Sequence, residues 1–245
     1  MMKLQHFLVA IFVSLIVFSN QSLSAQNKEE KLFRIGVKVS PNFYWLNYKT
    51  EGYVGNAQSF GVGIGFVSDF LISDNFMIKT GIDFYSIKLD YTMPFSTVIS
   101  DQGKMSYSGT LHRQGKINYF DIPAVIKYII KDSNKLSINA QLGLKFGCNY
   151  RAKSDETFTY IDLDMKHQTL YREKVNISDE TAGIKLALVM GAGVEYKISK
   201  NVALYGTLML NPGLTNILSG FNTTYTNTLN KATASNIELS IGIII

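Results

Sequence analysis

A chain of 245 residues suffices for one large domain or two small ones, and its single cysteine, Cys148, excludes an internal disulfide and a cysteine-built zinc site. Charged residues make up only 18%, low for a soluble protein, while Tyr (14) and Phe (15) are plentiful. The net charge of +5 comes without any basic patch interleaved with aromatics, which argues against nucleic acid as a partner.

The N-terminus reads as an export signal. Lys3 supplies a short basic region, Phe7 to Phe18 is an uncharged apolar stretch, and small residues precede a cut expected after Ala25. That stretch is too short for a membrane helix, which needs ~20 residues. The expected organisation is therefore a cleaved signal peptide over 1–25 and one domain over 26–245.

Period-two alternation governs the rest. Phe33, Ile35, Val37 and Val39 alternate with Arg34, Gly36, Lys38 and Ser40. Phe60 to Phe66 alternates with Ser59, Gly61, Gly63 and Gly65, and Phe76, Ile78, Ile82 and Phe84 with Lys79, Gly81 and Asp83. Phe120 to Tyr128 places Asp121, Pro123, Val125 and Lys127 on its second face. Leu136 to Tyr150 is the clearest copy: every even position is apolar or amphipathic and every odd one is polar or Gly. Gly183 to Ile198, Val202 to Asn211 and Asn236 to Ile245 repeat it. A helix would mix the two sets on every face, so the reading is all-β, with eight antiparallel strands.

The connections alternate in length. Segments 72–75, 131–135 and 199–201 are short and rich in turn formers, whereas 47–57, 92–115, 152–182 and 215–233 are long. Antiparallel strands put every second connection at the same end. Tight turns at one end and long loops at the other are the layout of an up-and-down transmembrane β-barrel of the outer membrane.

Alternation alone leaves open which face meets lipid. The polar face is crowded with glycine, which suits the narrow interior of eight strands and would only weaken strands exposed to water. Charges of both signs share that face: Arg34, Lys38, Lys79, Asp83, Asp121, Lys127, Lys145, Lys185, Glu195, Lys197 and Glu238. In a lumen they can pair and hydrogen-bond. Aromatics near strand ends, at Phe76, Tyr128, Tyr150 and Tyr196, fit interfacial girdles. The expected partner is thus outer-membrane lipid, with any protein partner held by loops 92–115 and 152–182. A monomer without cofactor or metal, and without a diffusive pore, is expected.

Three motifs suggest chemistry and are better read otherwise. Gly61-Val62-Gly63-Ile64-Gly65 looks like a dinucleotide loop, but Phe66 replaces the last glycine and no helix pattern follows. Asp162 and Asp164 lack the further ligands of a calcium loop. His112 with Ser106 or Ser108, or His167, would fit a lipid-modifying enzyme at the barrel rim only if the side chains met.

Tyr119-Phe120-Asp121-Ile122-Pro123 through Lys127-Tyr128 resembles a strand motif of small outer-membrane barrels in Bacteroidota, the PorT-like family. Ile35-Gly36-Val37-Lys38, Gly191 to Tyr196, and Gly213-Leu214-Thr215-Asn216 are similar to other strands of that family. The resemblance implies an eight-stranded barrel and no catalytic residues. The founding member is associated with type IX secretion, which stands as an alternative role. One departure is Ile243-Ile244-Ile245, where many outer-membrane barrels end on an aromatic residue. Pro123 removes a ladder donor, so a bulge or local break is expected there.

Overall fold

Strand pairing turns this alternation into a closed sheet. The computed structural model describes residues 32–55, 58–100, 104–162, 164–199, 201–222, 224 and 228–245. The expected signal segment lies outside them. The strands are β1 (Phe33–Tyr48), β2 (Val54–Gly55), β3 (Gln58–Ser73), β4 (Phe76–Ser100), β5 (Lys104–Asp132), β6 (Leu136–Ile161), β7 (His167–Asn176), β8 (Ile184–Lys197), β9 (Ala203–Asn211) and β10 (Ala232–Ile244). Among the described residues, eight of them close a ring in the order β1, β3, β4, β5, β6, β8, β9, β10, every pair antiparallel. The ring shuts where β1 meets β10, from Gly36 opposite Ile244 to Tyr48 opposite Ala232. Short β2 and β7 lie outside it, paired to β4 and β6.

The apolar positions point outward. Val37, Ile64, Phe66, Leu142, Leu208 and Ile241 are all more than half exposed. Their inward neighbours Lys38, Asp83, Asp121, Lys145 and Glu238 are buried. A water-exposed band of that kind would be an aggregation surface, whereas in hydrocarbon it is the solvated face. The band runs nine residues from Phe76 to Phe84 on β4. This matches the ~9–11 residues of a tilted strand in a bilayer. Phe76 sits opposite Tyr128, their ring centroids 5.0 Å apart, at the short-turn end.

Two expected loops are largely strand. Segment 92–115 continues β4 to Ser100 and starts β5 at Lys104, and segment 152–182 holds the end of β6 and all of β7. β4, β5 and β6 reach 25, 29 and 26 residues, far beyond the ~9–11 that a tilted strand needs to cross hydrocarbon. The reason is an inversion of polarity. Below Phe84 the outward residues are apolar and the inward ones charged. Above it, Tyr85, Ile87, Leu89, Tyr91 and Met93 turn inward and are buried, while Lys88 faces out. The strand period is unbroken, but the apolar set has changed sides, and a polar outward face reads as loop. We call this extension, with the segments packed against it, the head.

β6 adds a bulge. Tyr119 pairs with Asn149 and Asn118 with Arg151, so Tyr150 is the extra residue. A bulge re-aims all that follows it. Odd positions face inward up to Gly147, and beyond Tyr150 the inward residues are Ala152, Ser154, Glu156 and Phe158.

Pro123 pairs with Lys145 on β6, but the β4–β5 ladder lapses between Lys79–Val125 and Asp83–Asp121. The local break expected of this proline falls on the β4 side, where the residue opposite is Gly81. Gly81 has φ +153, and a Cβ there would collide with the carbonyl oxygen of Phe66. Gly81→Ala is expected to cost about 1–3 kcal/mol from backbone strain alone. Urea unfolding in micelles, followed by the fluorescence of Trp45, the single tryptophan, reads this out. An unchanged midpoint would contradict the strain at Gly81.

Candidate functional site

The interior is filled in layers, beginning at the short-turn end. Arg34 of β1 reaches Glu195 of β8 at 2.9 Å and Asp69 of β3 at 2.8 Å. Lys127 of β5 binds the same two carboxylates, Asp69 at 2.8 Å and Glu195 in a shorter contact. One layer up, Lys38 donates to Asp83 (2.9 Å) and Glu238 (2.8 Å), and Lys145 to Glu238 (2.6 Å). Above them Lys185 pairs with Asp121 at 3.1 Å, and the Tyr85 hydroxyl donates to Asp121 at 2.6 Å. Among the described residues, buried Lys79 has no carboxylate at ion-pair distance. It donates to Gln141 Oε1 at 3.4 Å and faces the Tyr205 ring at 5.2 Å. Lys197 stands apart at the rim, exposed and paired with Asp132.

Asp69 belongs to this network, although the sequence reading omitted it. It continues the inward set Gly61, Gly63, Gly65 and Val67, so reading that strand past Phe66 would have found it. The glycines make room for the charges. A Cβ at Gly147 would lie 2.7 Å from Lys185 Cε and against the Asp121 carboxylate. Gly61, Gly63 and Gly65 lie within β3 and face this packed interior, so the stretch is no phosphate loop.

A tyrosine tier closes the charged part. Tyr44 stacks on Tyr85 (5.7 Å) and Tyr85 on Tyr119 (6.0 Å), with Lys185 Nζ 5.0 Å from the Tyr85 ring. The cavity between the Glu238 layer and this tier has a volume of about 10 Å³, room for about one water. The lumen is occupied by its own side chains.

Above the tier the interior is apolar. Leu46, Ile87, Leu89, Leu111, Ile117 and Phe158 form its core, and Ile177, Ile217 and Leu218 fold in from the connecting segments as a cap. Ala182 N–H donates to Ile217 O (2.9 Å) and Ile217 N–H to Ala232 O (2.8 Å), which ties the cap to the barrel rim. A buried ion pair lies within it. Arg113 of β5 donates from Nε (2.8 Å) and Nη2 (2.5 Å) to Glu156 of β6, and from Nη1 to Glu180 (2.6 Å) and the Tyr91 hydroxyl (3.1 Å). Its fork thereby fastens β4, β5, β6 and the turn Ser178–Glu180 together.

The outward face of the head carries the remaining candidates. His112 Nε2 lies 2.8 Å from Asp90, while Ser108 Oγ is 2.9 Å from Ser96 Oγ. Four extended residues separate Ser108 from His112, about 13 Å, so no Ser–His dyad is assembled there. His167 is exposed at the start of β7. Asp162 accepts from the Gln168 amide and the Lys166 N–H, both at 2.8 Å, which closes a turn and holds its carboxyl below the usual range. Among the described residues no cluster of His, Cys, Asp or Glu could hold a metal ion.

A closed ring with lipid-facing apolar residues and a plugged interior defines a small β-barrel of the outer membrane. Residues 24–219 match the family described as the outer membrane protein beta-barrel domain, and the chain belongs to that family. Among solved structures it is similar to Neisserial surface protein A (13% identity, 87% of this chain and 96% of that one, TM-score 0.41). It is similar also to OprG of Pseudomonas aeruginosa (10%, 86% and 93%, TM-score 0.45) and a major outer membrane protein of Thermus thermophilus (14%, 86% and 98%, TM-score 0.42). No curated protein matches the sequence.

Proposed function

We propose that this barrel is a non-enzymatic anchor that holds a rigid partner-binding head outside the cell. The carrying observation is the continuation of β4, β5 and β6 past the lipid band into a head with its own apolar core. Spanning the membrane requires none of that length. Outer-membrane barrels place their short turns in the periplasm, which supports an outward-facing head. A filled lumen speaks against a channel role. The Tyr119–Tyr128 motif supports a finer placement among PorT-like barrels.

A photo-crosslinking side chain at Thr157 or Thr159, outward on β6, tests the reading in intact cells. Discrete protein adducts are expected there and not at Ser133, in the opposite turn. Adducts at Ser133 alone, or conductance steps of the purified protein in planar bilayers, would overturn it.

A further inference from the structure

The register places three lysines side by side. Lys88 lies opposite Lys116, and Lys116 opposite Lys153, so one cross-strand row of the head's outward face is basic across β4, β5 and β6, with Asn176 of β7 next to Lys153. Like charges directly opposite each other destabilise a sheet. Among the described residues, no carboxylate lies within ion-pair distance of these ammonium groups or of Arg151, which sits one row lower opposite Asn118. Two acids, Asp90 and Asp155, stand one row higher and are engaged elsewhere. Asp90 contacts His112, and Asp155 accepts from the Lys174 N–H at 2.7 Å. Together these residues line an open groove of about 500 Å³.

Height above the lipid band identifies the occupant. Two rows below the lysines lie Phe84, Phe120 and Cys148, the top of that band. Four residues along a strand tilted by ~40° rise about 10 Å, and Arg151 stands about 5 Å above the band. Head groups occupy about 5–7 Å beyond the hydrocarbon, and lysine side chains reach downward by several ångströms. The row therefore continues the lipid contact upward into the phosphate layer.

We propose that Lys88, Lys116, Lys153 and Arg151 form a binding shelf for the phosphate groups of an anionic lipid packed against β4, β5 and β6. This rests on the proposed outward orientation of the head and on the position of the lipid band, and stands whether or not the head binds a protein. The repulsion within the row is relieved when phosphate bridges it, because each ammonium then gains a charge-assisted hydrogen bond.

The test uses the full barrel in zwitterionic micelles, with bisphosphorylated lipid A as the probe and native mass spectrometry to count bound lipid. The variant K88Q/K116Q/K153Q should bind about a hundredfold more weakly, from about fivefold per lysine. The matched variant K131Q/K135Q, at the opposite end, should bind as the wild type does. In lipid-free micelles the triple variant should resist urea at least as well as the wild type, because a repulsive row has been neutralised. Equal affinity of wild type and triple variant would overturn the proposal. So would equal binding of dephosphorylated lipid A. Full competition by equimolar inorganic phosphate would assign the shelf to a soluble anion and overturn the lipid.

Discussion

Glu238→Gln is expected to lower the stability of the barrel by about 3–5 kcal/mol, the cost of breaking a buried ion pair from one side. Glu238 accepts from Lys38, Lys145, Ser240 and Asn211, which lie on β1, β6, β10 and β9. Glutamine nearly preserves shape and removes the charge. Lys38 and Lys145 are then left sharing Asp83 alone, at 2.9 and 3.5 Å. Urea titration in micelles, followed through Trp45, measures the loss. Replacing Lys38, Lys145, Asp83 and Glu238 together by Met and Leu should cost much less than the four single losses summed, because no charge is then left unpaired. Additive losses would show that the layer is four independent contacts.

Arg113→Met should act on the head and spare the barrel. The substitution keeps an apolar stem and deletes the fork. Among the described residues, Glu156, 6% exposed, then keeps only Ser154 as a side-chain donor, at 3.3 Å. Glu180 is nearly half exposed and can turn to water. The expected cost is again about 3–5 kcal/mol, confined to the strands that Arg113 fastens. Amide hydrogen exchange should accelerate by about a hundredfold or more in 87–95, 107–117, 152–161 and 178–180, and stay unchanged in β1, β9 and β10. Uniform acceleration around the ring would mean that head and barrel unfold as one unit. Arg113→Lys should recover only part of the protection, because a point charge cannot grip Glu156 and Glu180 as the planar fork does.

The alternation at Leu136–Tyr150 made the barrel legible before any coordinates, since a strict period of two has one structural meaning. The period also separates inward from outward positions within each strand, but it missed Asp69 and wrongly put Lys197 in the lumen, because it cannot show where a strand leaves the barrel; the tight turns near Asp74, Ser133 and Asn201 were legible from turn chemistry. Other features were opaque for physical reasons. The head was invisible because its strands bury Ile87, Leu89 and Leu111 while showing Lys88, Asp90 and His112, and a sequence cannot announce that its solvent has changed from lipid to water. The bulge at Tyr150 shifts the phase by one residue within a stretch where both faces are mixed. Grouping of Arg113 with Glu156 and Glu180 depends on cross-strand register and on a distant turn folding back, neither of which local spacing encodes.

The inversion at Phe84, Phe120 and Tyr150 also works as a depth gauge. A barrel uniformly apolar on its outside could ride up or down in its bilayer at little cost. Here a thicker bilayer would have to swallow Ser86, Asn118 and Arg151, and a thinner one would strand Phe84 and Phe120 in water. Each ångström of mismatch costs a fraction of a kcal/mol around the perimeter. Because β4, β5 and β6 run through the boundary as continuous strands, that vertical setting passes into the head without a hinge. The standoff between the bilayer and the tip of the head is therefore set in part by the thickness of the membrane around it.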